Sequence, residues 1–206
     1  MDPSQRTRAE GWACVAGGVL LALAGVLLDS QLSGEVVAST PTGRLAFGLW
    51  AVAVPGLMAG VVGLRALHPA GPRALSSIAT WVTSVALILW MIGALYSVTD
   101  PSVDQAISPA GGALSVVGMV AFGIAVLRAG RLRGWRRFVP LLVGVWWPLQ
   151  LPVQIVYFLG VLGSPSFTLW FGGLGALWAL LGYVVASSAE ARPAAGPSEP
   201  GVPDAG

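Results

Sequence analysis

Six long apolar runs divide this chain, at roughly 11–28, 45–67, 75–98, 110–127, 138–162 and 167–186. Each is close to the ~20 residues that carry an α-helix across a hydrocarbon core ~30 Å thick. Backbone N–H and C=O groups in that core must pair within their own segment or within a closed barrel. The runs lack the period-two alternation of barrel strands, so they are predicted to be helices. With 55% hydrophobic residues and a mean hydropathy of +0.78, the chain has little polar surface with which to cover a soluble core. The expected fold is an all-α membrane protein, a bundle of six transmembrane helices. Residues 1–10 form a short N-terminus, 11–189 the helical domain, and 190–206 a Pro-, Gly- and Ala-rich tail with no apolar face to bury, expected to be disordered.

Cutting the chain at these runs sorts its charge. Ten of the eleven basic residues, all arginines, fall on one side: Arg6, Arg8, Arg65, Arg73, Arg128, Arg131, Arg133, Arg136, Arg137 and Arg192. The other side has Arg44 alone, with Asp29, Glu35, Asp100 and Asp104. The excess of arginine in cytoplasmic loops predicts that both termini are cytoplasmic and that the chain is a multi-pass protein of the plasma membrane. The same asymmetry accounts for the net charge of +2, so nucleic acid is not an expected partner. Ala22-Leu23-Ala24 has the small-x-small form of a signal-peptide site, and cleavage there would leave five helices; the apolar run nevertheless continues through Leu28, long enough to remain a span.

Absent residue types remove whole classes of chemistry. Without lysine there is no Schiff base, amine nucleophile or P-loop. One histidine, His68, cannot supply a bis-histidine haem or a His-rich metal site, and the lone Cys14 cannot form an intrachain disulfide. No carboxylate falls inside a predicted span, which weighs against proton- or sodium-coupled carriage. Asp100 and Asp104, with Pro101 between them, are too few for a Ca²⁺ ion that takes ~6–8 oxygens, and read as solvated loop acids. No cofactor, metal or catalytic residue is expected, and the chain reads as a non-enzyme.

Two patterns remain that could carry function. In the fifth run, Pro148 and Pro152 each remove a backbone donor and predict a bent or broken helix. There Gln150, Gln154 and Tyr157 follow at helical spacing near the midplane, with Thr80, Thr83 and Ser84 on the third run as hydroxyl partners. Gln150, Gln154, Tyr157, Thr83 and Ser84 are therefore the candidate lining of a small polar cavity; the alternative is hydrogen bonding between helices, worth ~0.6 kcal/mol per contact. The second pattern is the strip Arg128, Arg131, Arg133, Trp135, Arg136 and Arg137, able to hold anionic lipid headgroups at ~1 kcal/mol per cation or to dock a cytoplasmic partner, with a membrane-protein partner of the bundle also open. Its plainer role is orientation, with Trp135 as an interfacial anchor.

Small residues at helical spacing, among them Gly18 and Ala22, Gly56 and Gly60, and Gly175, Ala179 and Gly182, predict close helix packing, inside one bundle or across a homo-oligomer seam. Trp12, Trp50, Trp135 and Trp170 are expected near the interfaces, with Trp81, Trp90, Trp146, Trp147 and Trp178 deeper in the core. The Gly-Trp-Arg-Arg-Phe-Val-Pro stretch at 134–140, in an all-arginine, Gly- and Ala-rich chain, resembles small uncharacterised membrane proteins of high-GC, actinobacterial-type bacteria. That resemblance implies a six-helix plasma-membrane protein and supplies no function. Two classes follow from the residues: a non-catalytic module binding lipid, small molecule or protein, or a small transporter or channel component with a polar midplane cavity on helix five.

Overall fold

The computed structural model describes residues 2–30, 40–67, 73–99, 101–163 and 166–191. Among them there is no strand, and six helices are long and apolar enough to cross a membrane. They are α1 (Pro3–Asp29), α2 (Pro41–Ala66), α3 (Arg73–Tyr96), α4 (Pro101–Ala129), α5 (Val139–Val153) and α6 (Gly173–Glu190). Residues 31–39 of the expected first loop, His68, Asp100 and the tail from 192 lie outside the described residues.

Local chemistry sets the helix ends. The Thr40 hydroxyl accepts the Gly43 N–H at 2.9 Å, with Pro41 fitting the first helical position. That cap starts α2 four residues before the apolar run does. α4 likewise begins at Pro101, well before the expected 110, and carries Pro109 within it. Gly130, at φ 62°, takes the left-handed conformation that stops α4. A 3₁₀ turn at Gly134–Phe138 leads into α5, which becomes π-helical over Gln154–Leu162. The wide turn follows directly on Pro148 and Pro152, which withdraw two donors from the α-helical ladder. A second π-helical stretch, Thr168–Gly172, opens α6.

α1 is the centre of the packing, antiparallel to both α2 and α6. Towards α6, Gly11 meets the backbone of Gly182 and Ala186, and Gly18 that of Gly175 and Ala179; a Cβ on Gly11 would stand 2.6 Å from the Ala186 nitrogen. Towards α2, Gly17 faces Ala53, and Cys14 sits against Gly60. The small-residue faces are thus engaged within the bundle. Cleavage at Ala24 would remove the helix on which both neighbours rest. α3 pairs with α4, α4 with α5, α2 leans on α3, and α5 returns to α6. Leu21, Leu57, Leu64, Trp90, Phe122, Trp178 and Leu181 are buried between them. Val52, Ile78, Val117 and Val156 project outwards, as a surface facing lipid requires. Trp81 is on that outer surface too, 69% exposed, and does not fill the core as its depth predicted.

Candidate functional site

One end of the bundle collects Arg6, Arg8, Arg65, Arg128 and the 131–137 strip; the other collects aromatic rings. At the aromatic end a cavity of about 450 Å³ is bounded by residues from all six spans: Leu28 of α1, Phe47 and Trp50 of α2, Trp90 of α3, Asp104, Ser108 and Pro109 of α4, Trp147 of α5, and Phe167, Trp170 and Phe171 where α6 begins. Seven of these eleven are aromatic. The rings brace one another, Trp50 to Phe171 at 4.8 Å, Trp147 edge-on to Trp170 at 4.9 Å, and Trp50 edge-on to Trp90 at 5.9 Å. Such tilted and T-shaped pairs suit the ring quadrupoles and add to area burial. The indole N–H groups of Trp50, Trp147 and Trp170 are buried without a hydrogen-bond partner among the described residues, so ring packing assembles this wall.

The polar side of the cavity is α4. Asp104, in the first turn of that helix, accepts a hydrogen bond from the Ser108 hydroxyl one turn later. The Trp90 indole donates to the Ser108 carbonyl at 3.2 Å, tying α3 to the same point. Gly93 on α3 leaves room for the pair, since a Cβ there would stand 2.8 Å from the Asp104 carboxylate.

A separate network fixes the three rings at the start of α6. Asp29, last residue of α1, accepts the Phe167 N–H, the Thr168 N–H at 2.8 Å and the Ser166 hydroxyl at 3.1 Å. A carboxylate over the free N–H groups of a helix start satisfies donors that would otherwise be orphaned, and complements the helix dipole. The Gln154 amide donates to the Ser166 carbonyl at 2.6 Å and accepts the Ser166 N–H at 3.0 Å. The Trp146 indole donates to the Trp170 carbonyl at 3.3 Å. Helices α1, α5 and α6 are pinned together beside the cavity.

The predicted cavity residues do not meet at one place, and none of the five lines the aromatic cavity. Gln154 is a brace. Gln150 is 3% exposed, with neither amide atom hydrogen-bonded among the described residues. Tyr157 is 53% exposed: the π-helical segment advances less than the ~100° per residue of an α-helix, which carries Tyr157 off the glutamine face. Thr83 is buried against Gly118 on the α3–α4 seam with its hydroxyl unpaired among the described residues, Thr80 bonds back to Ser76 of its own helix, and Ser84 is half-buried.

At the arginine end, Arg131, Arg133 and Arg136 line a second cavity of about 490 Å³ with Leu67, Leu132, Ser188 and Ala191. Arg128, Arg137 and Trp135 are exposed, and the Arg137 guanidinium lies 4.8 Å from the centre of the Phe138 ring. Arg8 pairs with Glu190 at 2.9 Å, joining the first and last helices. Among the described residues no three His, Cys, Asp or Glu side chains gather as a metal site.

Sequence reasoning missed the aromatic cavity because its lining comes one to three residues at a time from six separate spans. Asp104 carried a faint signal: Ser108, one turn further on, is a partner only if the helix begins before Asp104. No family model matches this chain, and comparison with curated proteins and with solved structures finds no match.

Proposed function

We propose that this protein is a non-catalytic, multi-pass module of the plasma membrane that binds a small molecule in its aromatic cavity, with both termini in the cytoplasm. The observation carrying this reading is the 450 Å³ space bounded by all six spans. Its volume falls within the ~300–1,000 Å³ of small-molecule sites, and its mixture of apolar walls with few polar groups is theirs as well. In the described lining the Ser108 hydroxyl is held by the Asp104 carboxylate of its own helix, with no histidine beside the pair, and we take binding as the activity of this space.

The carrier reading has less behind it. A carrier site draws several polar groups to the midplane, and here Gln154 is committed to Ser166 while Tyr157 points outwards. A second binding role is supported at the other end. Arg131, Arg133 and Arg136 around a cavity suit an anionic lipid headgroup from the cytoplasmic leaflet.

The test of the main reading is native mass spectrometry of protein released from its own membrane. The wild type should carry a reproducible small-molecule adduct. A variant with Leu28→Phe and Phe47→Trp, which grows two lining side chains into the space, should lose it while keeping phospholipid adducts. An adduct unchanged in the filled variant, or a wild type carrying phospholipid alone, would reject the aromatic cavity as the site.

A further inference from the structure

We infer that the occupant of the aromatic cavity is an organic cation, an amine or quaternary ammonium bearing an apolar arm, with Asp104 as its counter-charge. The inference rests on the cavity being a ligand site. Among the described residues the lining holds seven aromatic rings, one carboxylate and no arginine or histidine. Aromatic faces are electrically negative and attract a cation within ~6 Å of the ring centre, most strongly where water is excluded. The Asp104 carboxylate has no ion-pair partner among the described residues, and the one hydrogen bond it accepts there comes from Ser108 on its own helix.

Each competing class of ligand meets a specific penalty. An anion would meet the Asp104 carboxylate with no cationic side chain among the described lining residues to offset it. A neutral apolar molecule would satisfy the rings but press hydrocarbon against a charged oxygen, which is costly without a compensating partner. A cation with an apolar arm replaces its lost hydration with ring faces and a carboxylate, and its arm fills the rest of the space. The geometry favours the cation because carboxylate and rings bound the same cavity: Trp90 lies in the wall and also donates to the backbone carbonyl of Ser108, whose hydroxyl bonds to the carboxylate.

Two probes of equal shape separate charge from bulk: benzyltrimethylammonium, and neopentylbenzene, in which carbon replaces the charged nitrogen. Four of the nine tryptophans line the cavity, so intrinsic fluorescence of the full chain in detergent reports occupancy. The cation should bind saturably and about tenfold more tightly than its neutral twin. Asp104→Asn should remove that advantage and leave the affinity for neopentylbenzene unchanged, while Asp104→Glu keeps much of it. Equal affinities in the wild type would overturn the cation assignment and leave the cavity a site for neutral ligands; this comparison needs no variant to fold. Saturable binding of neither probe would overturn the cation assignment and count against the cavity as a ligand site.

Discussion

Gln154 makes two hydrogen bonds to the Ser166 backbone, whereas Gln150, one turn earlier and equally buried, makes none among the described residues. Their substitutions should therefore diverge. Gln154→Leu orphans the Ser166 N–H and C=O and loosens the start of α6, at a cost of about 1–3 kcal/mol. Gln150→Leu removes an unsatisfied amide at nearly constant volume and should be neutral or stabilising. Thermal or denaturant unfolding of the two single variants would check this; equal losses would mean that Gln150 has a partner of its own. Asp29→Ala belongs with Gln154→Leu, lowering stability by about 0.5–2 kcal/mol through the lost cap. It was legible in the sequence that amides at 150 and 154 need partners. The identity of the partner was not, because Ser166 comes from the next helix and accepts through its backbone, which carries no residue signature. Tyr157 was misplaced for a related reason, since two prolines reset the helical phase just before it.

Helix by helix, the apolar runs located all six spans, because length and hydropathy answer directly to bilayer thickness. Their ends were less legible where polar residues and prolines take part in the helix: α4 extends from Pro101 through Pro109, and α2 starts at a threonine cap. The small-residue faces were read at spacings of three and four, and α1 meets α6 at a spacing of seven, through Gly11, Gly18 and Gly25 opposite Gly182, Gly175 and the start of α6. Seven residues are two turns, so both periods mark one face. Gly18→Leu would drive a side chain into the α6 backbone and should leave little monodisperse protein, a loss beyond the ~1–3 kcal/mol of ordinary overpacking because no side chain can move aside. Gly48→Ala is the matched control. Its Cβ meets nothing within 4 Å, so it should stabilise α2 by about 0.5–1 kcal/mol. Size-exclusion profiles and melting curves of the pair would decide; a well-folded Gly18→Leu protein would mean that α1 and α6 are not in contact.

For the whole molecule, the separation of an arginine end from an aromatic end turns orientation into a functional question. If the arginines face the cytoplasm, as the positive-inside rule requires, the aromatic cavity belongs to the outer half of the membrane and its ligand arrives from outside. Cysteine labelling in intact cells tests this on a nearly silent background. The only native thiol, Cys14, is fully buried and donates to the Trp178 carbonyl at 3.3 Å, so an impermeant maleimide should leave the wild type unmarked. Gly34→Cys, between α1 and α2 in sequence, should label in intact cells, and Ser198→Cys only after permeabilisation. The reverse pattern would place the cavity in the inner half and the arginine strip outside, away from the anionic cytoplasmic leaflet that favours lipid binding there. With orientation established, cation binding gains a direction: benzyltrimethylammonium added outside intact cells should protect a cysteine placed at Phe47, in the cavity wall, from labelling, and should leave labelling at Gly34→Cys unchanged. Loss of label at both positions would trace the effect to the reagent, not to an occupied cavity.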